Sequence, residues 1–111
     1  MRDASLGTLE LTVLLAVARL GDDAYGLAIR RDVSARTGRE HSVGAVYTTL
    51  YRLEEKGLVA SSASEPLPVR GGRSRRQFTL TDAGRRAVTE AQRVAASVWA
   101  GIGTPIHPEP A

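Results

Sequence analysis

The chain of 111 residues has no cysteine, which excludes disulfides, thiolate zinc sites and cysteine nucleophiles. Histidine is nearly absent as well. His41 and His107 stand in different contexts, with no paired carboxylate at helical spacing, so the three or four converging ligands of a metal site are not assembled. No metal or other cofactor is expected. Nor do a nucleophile, a base and an orienting group occur together: Ser42 beside His41 is better explained as a helix cap, and the chain is read as no enzyme. Long hydrophobic runs are missing too. The segment from Leu11 to Ala18 is bracketed by Glu10 and Arg19, too short for a membrane span, and Asp3 and Glu10 leave no clean positive stretch before it for a signal peptide. A cytoplasmic protein without a membrane partner is the expectation.

Lysine is all but replaced by arginine. Only Lys56 is lysine among fifteen basic residues, a bias that a GC-rich genome explains. Genome composition does not explain the crowding of Arg70, Arg73, Arg75 and Arg76 around Gly71-Gly72, a local basic loop of the kind that meets phosphate. The net charge of +3 permits an anionic partner without requiring one. With 42% apolar and 24% charged residues, no repeat and no low-complexity stretch, the chain reads as one soluble globular domain.

Periodicity and punctuation predict six elements. Ser5 or Thr8 caps a first helix to about Leu20, whose apolar positions wrap nearly all round it and call for cover on two sides, a second subunit being the natural source. Asp23 caps a second helix from about Ala24 to Thr37, with Leu27, Ala28, Ile29 and Val33 inward, Arg30, Arg31, Asp32 and Arg36 outward, and Gly38 as its stop. Ser42 caps a third helix that runs to Lys56 and ends at Gly57. Two strands follow, Leu58 to Ser62 and Arg76 to Leu80. Pro66, Pro68 and the glycine pair make Glu65 to Ser74 a long irregular loop. Thr81 caps a last helix to roughly Ile102. This order is mainly α with a small β-hairpin: a winged helix-turn-helix over 1–80, a dimerisation helix continuous with it over 81–103, and an irregular tail over 104–111.

At 100° per residue, the third helix has a buried stripe of Val46, Leu50 and Leu53. Its opposite face carries Gly44, Thr48, Tyr51, Arg52 and Glu55. Small and hydrogen-bonding residues near the N-terminal end suit a recognition helix, which must enter a major groove ~12 Å wide. An ordinary amphipathic surface helix is the competing reading. The tight turn before it and the basic loop after it favour DNA. In that loop, glycines admit close backbone approach and arginine forks suit phosphate or a narrow minor groove, whereas a merely solvated hairpin is the alternative. In the last helix Ala87, Val88, Ala91, Val94, Ala95, Val98, Trp99 and Ile102 form a heptad-like seam about two heptads long. It is too short and alanine-rich to pair alone, so it is expected to pack on the partner's first helix through Leu9 and Val13, with Trp99 as an interface anchor.

These segments together resemble the PadR family of bacterial transcriptional regulators. The likeness rests on Ala24-Tyr25-Gly26, on Ser42-Val43-Gly44-Ala45-Val46-Tyr47, on the run from Leu50 through Arg52-Leu53-Glu54-Glu55-Lys56-Gly57 to Val59, on Gly71-Gly72-Arg73, and on Thr79-Leu80-Thr81-Asp82-Ala83-Gly84. Val43 stands where many members have proline, and the wing is longer than common. The resemblance implies a homodimer that binds a pseudo-palindromic operator in double-stranded DNA and usually represses, with Tyr25 and Tyr47 as phosphate contacts, although the helical wheel puts Tyr47 on the flank of the exposed face, where a packing role is the alternative. It also implies a small aromatic effector at the dimer interface, for which Trp99 is the candidate contact. The expected DNA-binding residues are Tyr25, Ser42, Gly44, Ala45, Tyr47, Thr48, Tyr51, Arg52, Arg70, Arg73 and Arg75. The expected dimer interface is Leu9, Val13, Val88, Ala91, Val94, Ala95, Val98, Trp99 and Ile102. A winged-helix protein-interaction module that never touches DNA is the alternative function.

Overall fold

The computed structural model of the chain describes residues 6–66 and 74–102. Its elements run α1 (Thr8–Leu20), a 3-10 turn (Gly21–Asp23), α2 (Gly26–Thr37), α3 (Val43–Glu55), β1 (Val59–Pro66), β2 (Ser74–Leu80) and α4 (Asp82–Trp99). Mostly helical with one antiparallel hairpin, it is a winged helix. Among the described residues no helix is long and apolar enough to cross a membrane.

The central helix is α1. Val13, Leu14, Ala16 and Val17 are buried in a core completed by Ala24, Ile29 and Val33, by Val46, Leu50 and Leu53 of α3, and by Val59 and Phe78 of the hairpin. Each leucine- or valine-sized side chain so buried contributes about 1.5–3 kcal/mol. The apolar pattern of α1 thus finds much of its cover within its own chain, from α2, α3, β2 and α4, while Leu9, Leu11 and Leu15 stay half-buried. Val13 is wholly buried in the protomer and has no surface left for a partner, while Leu9 packs half-buried against the same core.

Local chemistry sets the helix ends. Ser42 Oγ accepts from the Ala45 amide at 3.1 Å and Thr81 Oγ1 from the Gly84 amide at 3.0 Å, the N-caps expected of them. The cap of α1 is instead Gly7, whose amide donates to the Glu10 carboxylate at 2.9 Å, with Thr8 the first helical residue. Ser5 lies outside the described residues. At the end of α3, Gly57 takes φ +77°, and the Gly57 and Leu58 amides donate to the carbonyls of Glu54 (2.9 Å) and Leu53 (3.0 Å), a Schellman stop.

Two assignments in α2 need correction. Leu27 is exposed, because it lies 200° round the helix from Ile29 and so faces away from the core. Asp23 belongs to the 3-10 turn; α2 begins two residues later than expected and its N-cap is Tyr25, without a side-chain cap bond. The hairpin also extends further than proline content suggested: its ladder pairs Val59 with Leu80 through Ala63 with Arg76, then, past an irregularity, Pro66 with Ser74. Proline is tolerated at the end of a two-stranded ladder, where a missing donor breaks no interior bond. α4 stops at Trp99, leaving Ile102 in the turn beyond it.

Candidate nucleic-acid interface

The outer face of α3 is open. Ser42, Gly44, Thr48, Tyr51 and Arg52 are exposed, Ala45 and Tyr47 half-buried, and Val46, Thr49, Leu50 and Leu53 buried on the opposite side. Thr49 hides its hydroxyl by donating to the Ala45 carbonyl at 2.8 Å, which lets a polar residue sit among the core side chains. No neighbour lies within 4 Å of where a Gly44 side chain would begin, so bare backbone is presented on the first turn.

The turn that aims this helix is fastened from α2. Arg30, read from the pattern as solvent-facing, is half-buried and donates from its guanidinium to the His41 carbonyl at 3.3 Å. Ser34 Oγ accepts from the His41 amide at 3.2 Å, and Thr37 Oγ1 lies 3.2 Å from the His41 ring. Asp32, also half-buried, pairs with Arg19 of α1 and lies 3.7 Å from Arg36, which ties α2 to the central helix.

The root of the wing is joined to the start of α2. Tyr25 forms a β-bridge with Gln77, the Phe78 amide donates to the Ala24 carbonyl at 2.9 Å, and the Gln77 side-chain amide donates to the Asp22 carbonyl at 2.7 Å. The residues before α2 thus act as a one-bridge third strand beside β2. Over this seam the Arg75 guanidinium lies 4.1 Å from the centre of the Tyr25 ring, a cation–π contact. Tyr47 reaches the same corner. Its ring meets Phe78 edge-on at 6.3 Å and Tyr51 at 6.0 Å, and its hydroxyl lies where a side chain on Gly26 would have to be. Tyr25, Tyr47 and Arg75 are therefore gathered around the N-terminus of α2, which has no side-chain cap and whose first-turn amides and dipole favour an anion, with Tyr51 beside Tyr47.

Arg70 and Arg73 lie outside the described residues; of the basic wing cluster, Arg75 and Arg76 are described and both are exposed. Arg52, in the last turn of α3, is close enough to Glu10 for its charge to help hold that carboxyl below its ordinary pKa, behind the larger effects of Lys56 and the Gly7 amide. Gly26, Gln77 and Arg30 were missed as positioning residues. Only Gly26 carried a sequence signal, as part of the Tyr-Gly pair; the others act through contacts between distant segments.

On α4, Val88 and Ala91 are half-buried, and Val94, Ala95, Val98, Trp99 and Ile102 are exposed, Val98 at 73% and Trp99 at 60%. The helix starts firmly. The Thr81 hydroxyl donates to the Gly57 carbonyl at 2.6 Å, and Gly84 packs so tightly on the Leu58 carbonyl that a side chain there would overlap it.

Comparison with known proteins agrees with this geometry. The model of the transcriptional regulator PadR-like family matches residues 14–90. "Transcriptional regulator Rv3488" of Mycobacterium tuberculosis is 36% identical over 93 residues, covering 84% of this chain and 80% of its own. Among solved structures, RosR of H. salinarum superposes with a TM-score of 0.70 at 28% identity, covering 88% of this chain and 81% of that one. A PadR family transcriptional regulator from Eggerthella lenta gives 0.63 at 28% identity, covering 86% and 84%. Matched from the middle of α1 to the middle of α4, the protein belongs to the PadR-like family of transcriptional regulators.

Proposed function

We propose that this regulator is a sequence-specific DNA-binding repressor, cytoplasmic, acting as a homodimer on a pseudo-palindromic operator. The observation that carries the DNA reading is the open outer face of α3 beside the Tyr25–Arg75 corner, polar groups over bare backbone next to a helix end without a side-chain cap. In this reading α3 enters the major groove with Ser42, Gly44, Ala45, Thr48 and Tyr51 towards base edges, while Tyr25, Tyr47, Arg52 and the wing arginines Arg70, Arg73 and Arg75 hold phosphates. The homodimer reading rests on the exposed apolar side chains Val94, Val98 and Trp99 in the last turns of α4 and Ile102 just beyond it, which the chain leaves uncovered.

A small aromatic effector fits the same side chains. With two copies of Trp99 near a two-fold axis, a flat apolar slot would open between the indoles. Trp99 is the only indole in the chain, so its emission reports directly on such binding.

The test is binding of the purified chain to duplex DNA across a salt series. A DNA-binding regulator loses affinity linearly in log salt, by one charge's worth of slope for each phosphate neutralised. A chain that shows no salt-dependent binding to any duplex is instead a protein-interaction module.

A further inference from the structure

Among the described residues, large apolar side chains are exposed in two places. Val94, Val98, Trp99 and Ile102 lie along or just beyond α4 and are used in the proposed dimer. Leu27, Val43 and Tyr51 lie on the helix-turn-helix, and no protein contact proposed so far uses them. Of the three, Val43 alone is purely apolar and sits on α3 itself, as its first residue, 43% exposed.

Its exposure is informative because of where it falls on the helix. Seven residues separate Val43 from Leu50, which brings the two within 20° of the same flank, yet Leu50 is wholly buried. Val43 is therefore exposed because the first turn of α3 projects past the edge of the core. That turn is held rigidly: Ser42 caps it, Arg30 and Ser34 fix the chain entering it, and a β-branched residue in a helix keeps essentially one rotamer. Gly44 alongside adds no bulk that would hold the turn away from a surface.

We infer that Val43 is a specificity-determining residue that reads a thymine through its C5-methyl group. The inference rests on the DNA-binding reading above. In the major groove the base-pair edges offer donors and acceptors almost everywhere, and the thymine methyl is the one apolar group among them. An apolar side chain on the N-terminal turn of a recognition helix, the part that reaches base edges, thus has one complementary partner there. A cytosine edge at that position would set the Val43 methyls against an N4 amino group and leave that donor without a partner.

The experiment begins with duplexes selected from a random library by the full-length chain. In the tightest of them each thymine is replaced singly by deoxyuridine, which deletes the methyl and leaves the hydrogen-bonding edge intact. One position in each half-site should lose about four-fold in affinity, the worth of one buried methyl. Val43→Ala should bind the thymine duplex more weakly and show a thymine-to-deoxyuridine ratio near one at that position, with an unchanged circular dichroism spectrum. Restoring the methyl as 5-methylcytosine paired with guanine tells a methyl reader from a reader of the whole A·T pair: partial recovery over cytosine is expected of the former. Indifference of the wild type to deoxyuridine at every thymine overturns the inference, as does a Val43→Ala variant that keeps the wild-type ratio. A chain that selects no duplex at all contradicts the DNA-binding reading itself, a different and earlier outcome.

Discussion

Gly26 is glycine because Tyr47 fills the space where its side chain would start, and the pair illustrates how single residues position this surface. Gly26→Ala must displace the Tyr47 ring from Phe78 and from the N-terminus of α2. The expected cost is about 1–3 kcal/mol of stability, the usual range for overpacking, with a loss of DNA affinity beyond what lower stability explains. In a double-mutant cycle with Tyr47→Ala, the double variant should be more stable than the sum of the single costs predicts, since removing the ring removes the clash. Additive costs would show that the two residues do not oppose each other. Glu10 is a second such residue. The Lys56 ammonium at 2.8 Å and the Gly7 amide hold its carboxyl below the usual glutamate range. A carboxylate depressed by folding contributes stability that is complete above its unfolded pKa, about 4.3, and is lost as pH falls through the lower folded value. Glu10→Gln should therefore lower stability by about 0.5–1 kcal/mol at pH 7, discounted for the half-exposed lysine, and the two proteins should converge in acid titrations monitored by thermal melting.

At the scale of elements, the sequence was most legible where rules are local. The stripe Val46, Leu50 and Leu53, the caps at Ser42 and Thr81 and the stop at Gly57 follow from spacing and cap chemistry within one helix, and all lie where those rules put them. What could not be read depends on other segments. The pattern of α1 demanded two covered sides but did not say which neighbours supply them; Val13, Leu14, Ala16 and Val17 are covered by the chain's own core, while Leu9, Leu11 and Leu15 are only half-buried. The Tyr25–Gln77 bridge joins residues far apart in sequence, so no window contains it. Leu27 was legible and was misjudged, since its angle from Ile29 already turns it outward. The elements also divide the proposed work on DNA. Arg75→Ala should weaken selected and random duplexes alike and flatten the salt dependence, because a wing-root arginine neutralises backbone charge. Thr48→Ala should cost more on the selected sequence than on random duplex, by about 1–3 kcal/mol if its hydroxyl bonds a base edge. Titrations of both variants against both DNAs check this, and identical effects would refute the division.

For the whole molecule, the protomer is complete at one end and incomplete at the other. One core joins α1, α2, α3 and the hairpin root, while α4 leaves with Val94, Val98 and Trp99 uncovered. In the proposed homodimer those side chains would pair across a two-fold axis and be buried. Because Thr81 bonds the Gly57 carbonyl and Gly84 packs on Leu58, the start of α4 is locked to the exit of α3. A change in how the α4 helices cross would then alter the separation of the reading helices, which must be ~34–36 Å to meet successive major grooves. In the proposed function two copies of this chain present two α3 helices to one duplex. Sedimentation of the chain alone and with its selected duplex at micromolar concentration tests it most directly. A folded dimer that binds as two chains per duplex, with half-sites about one helical turn apart, is the predicted result. A folded monomer that saturates the same duplex at one chain per isolated half-site, with no gain from the second, would contradict it.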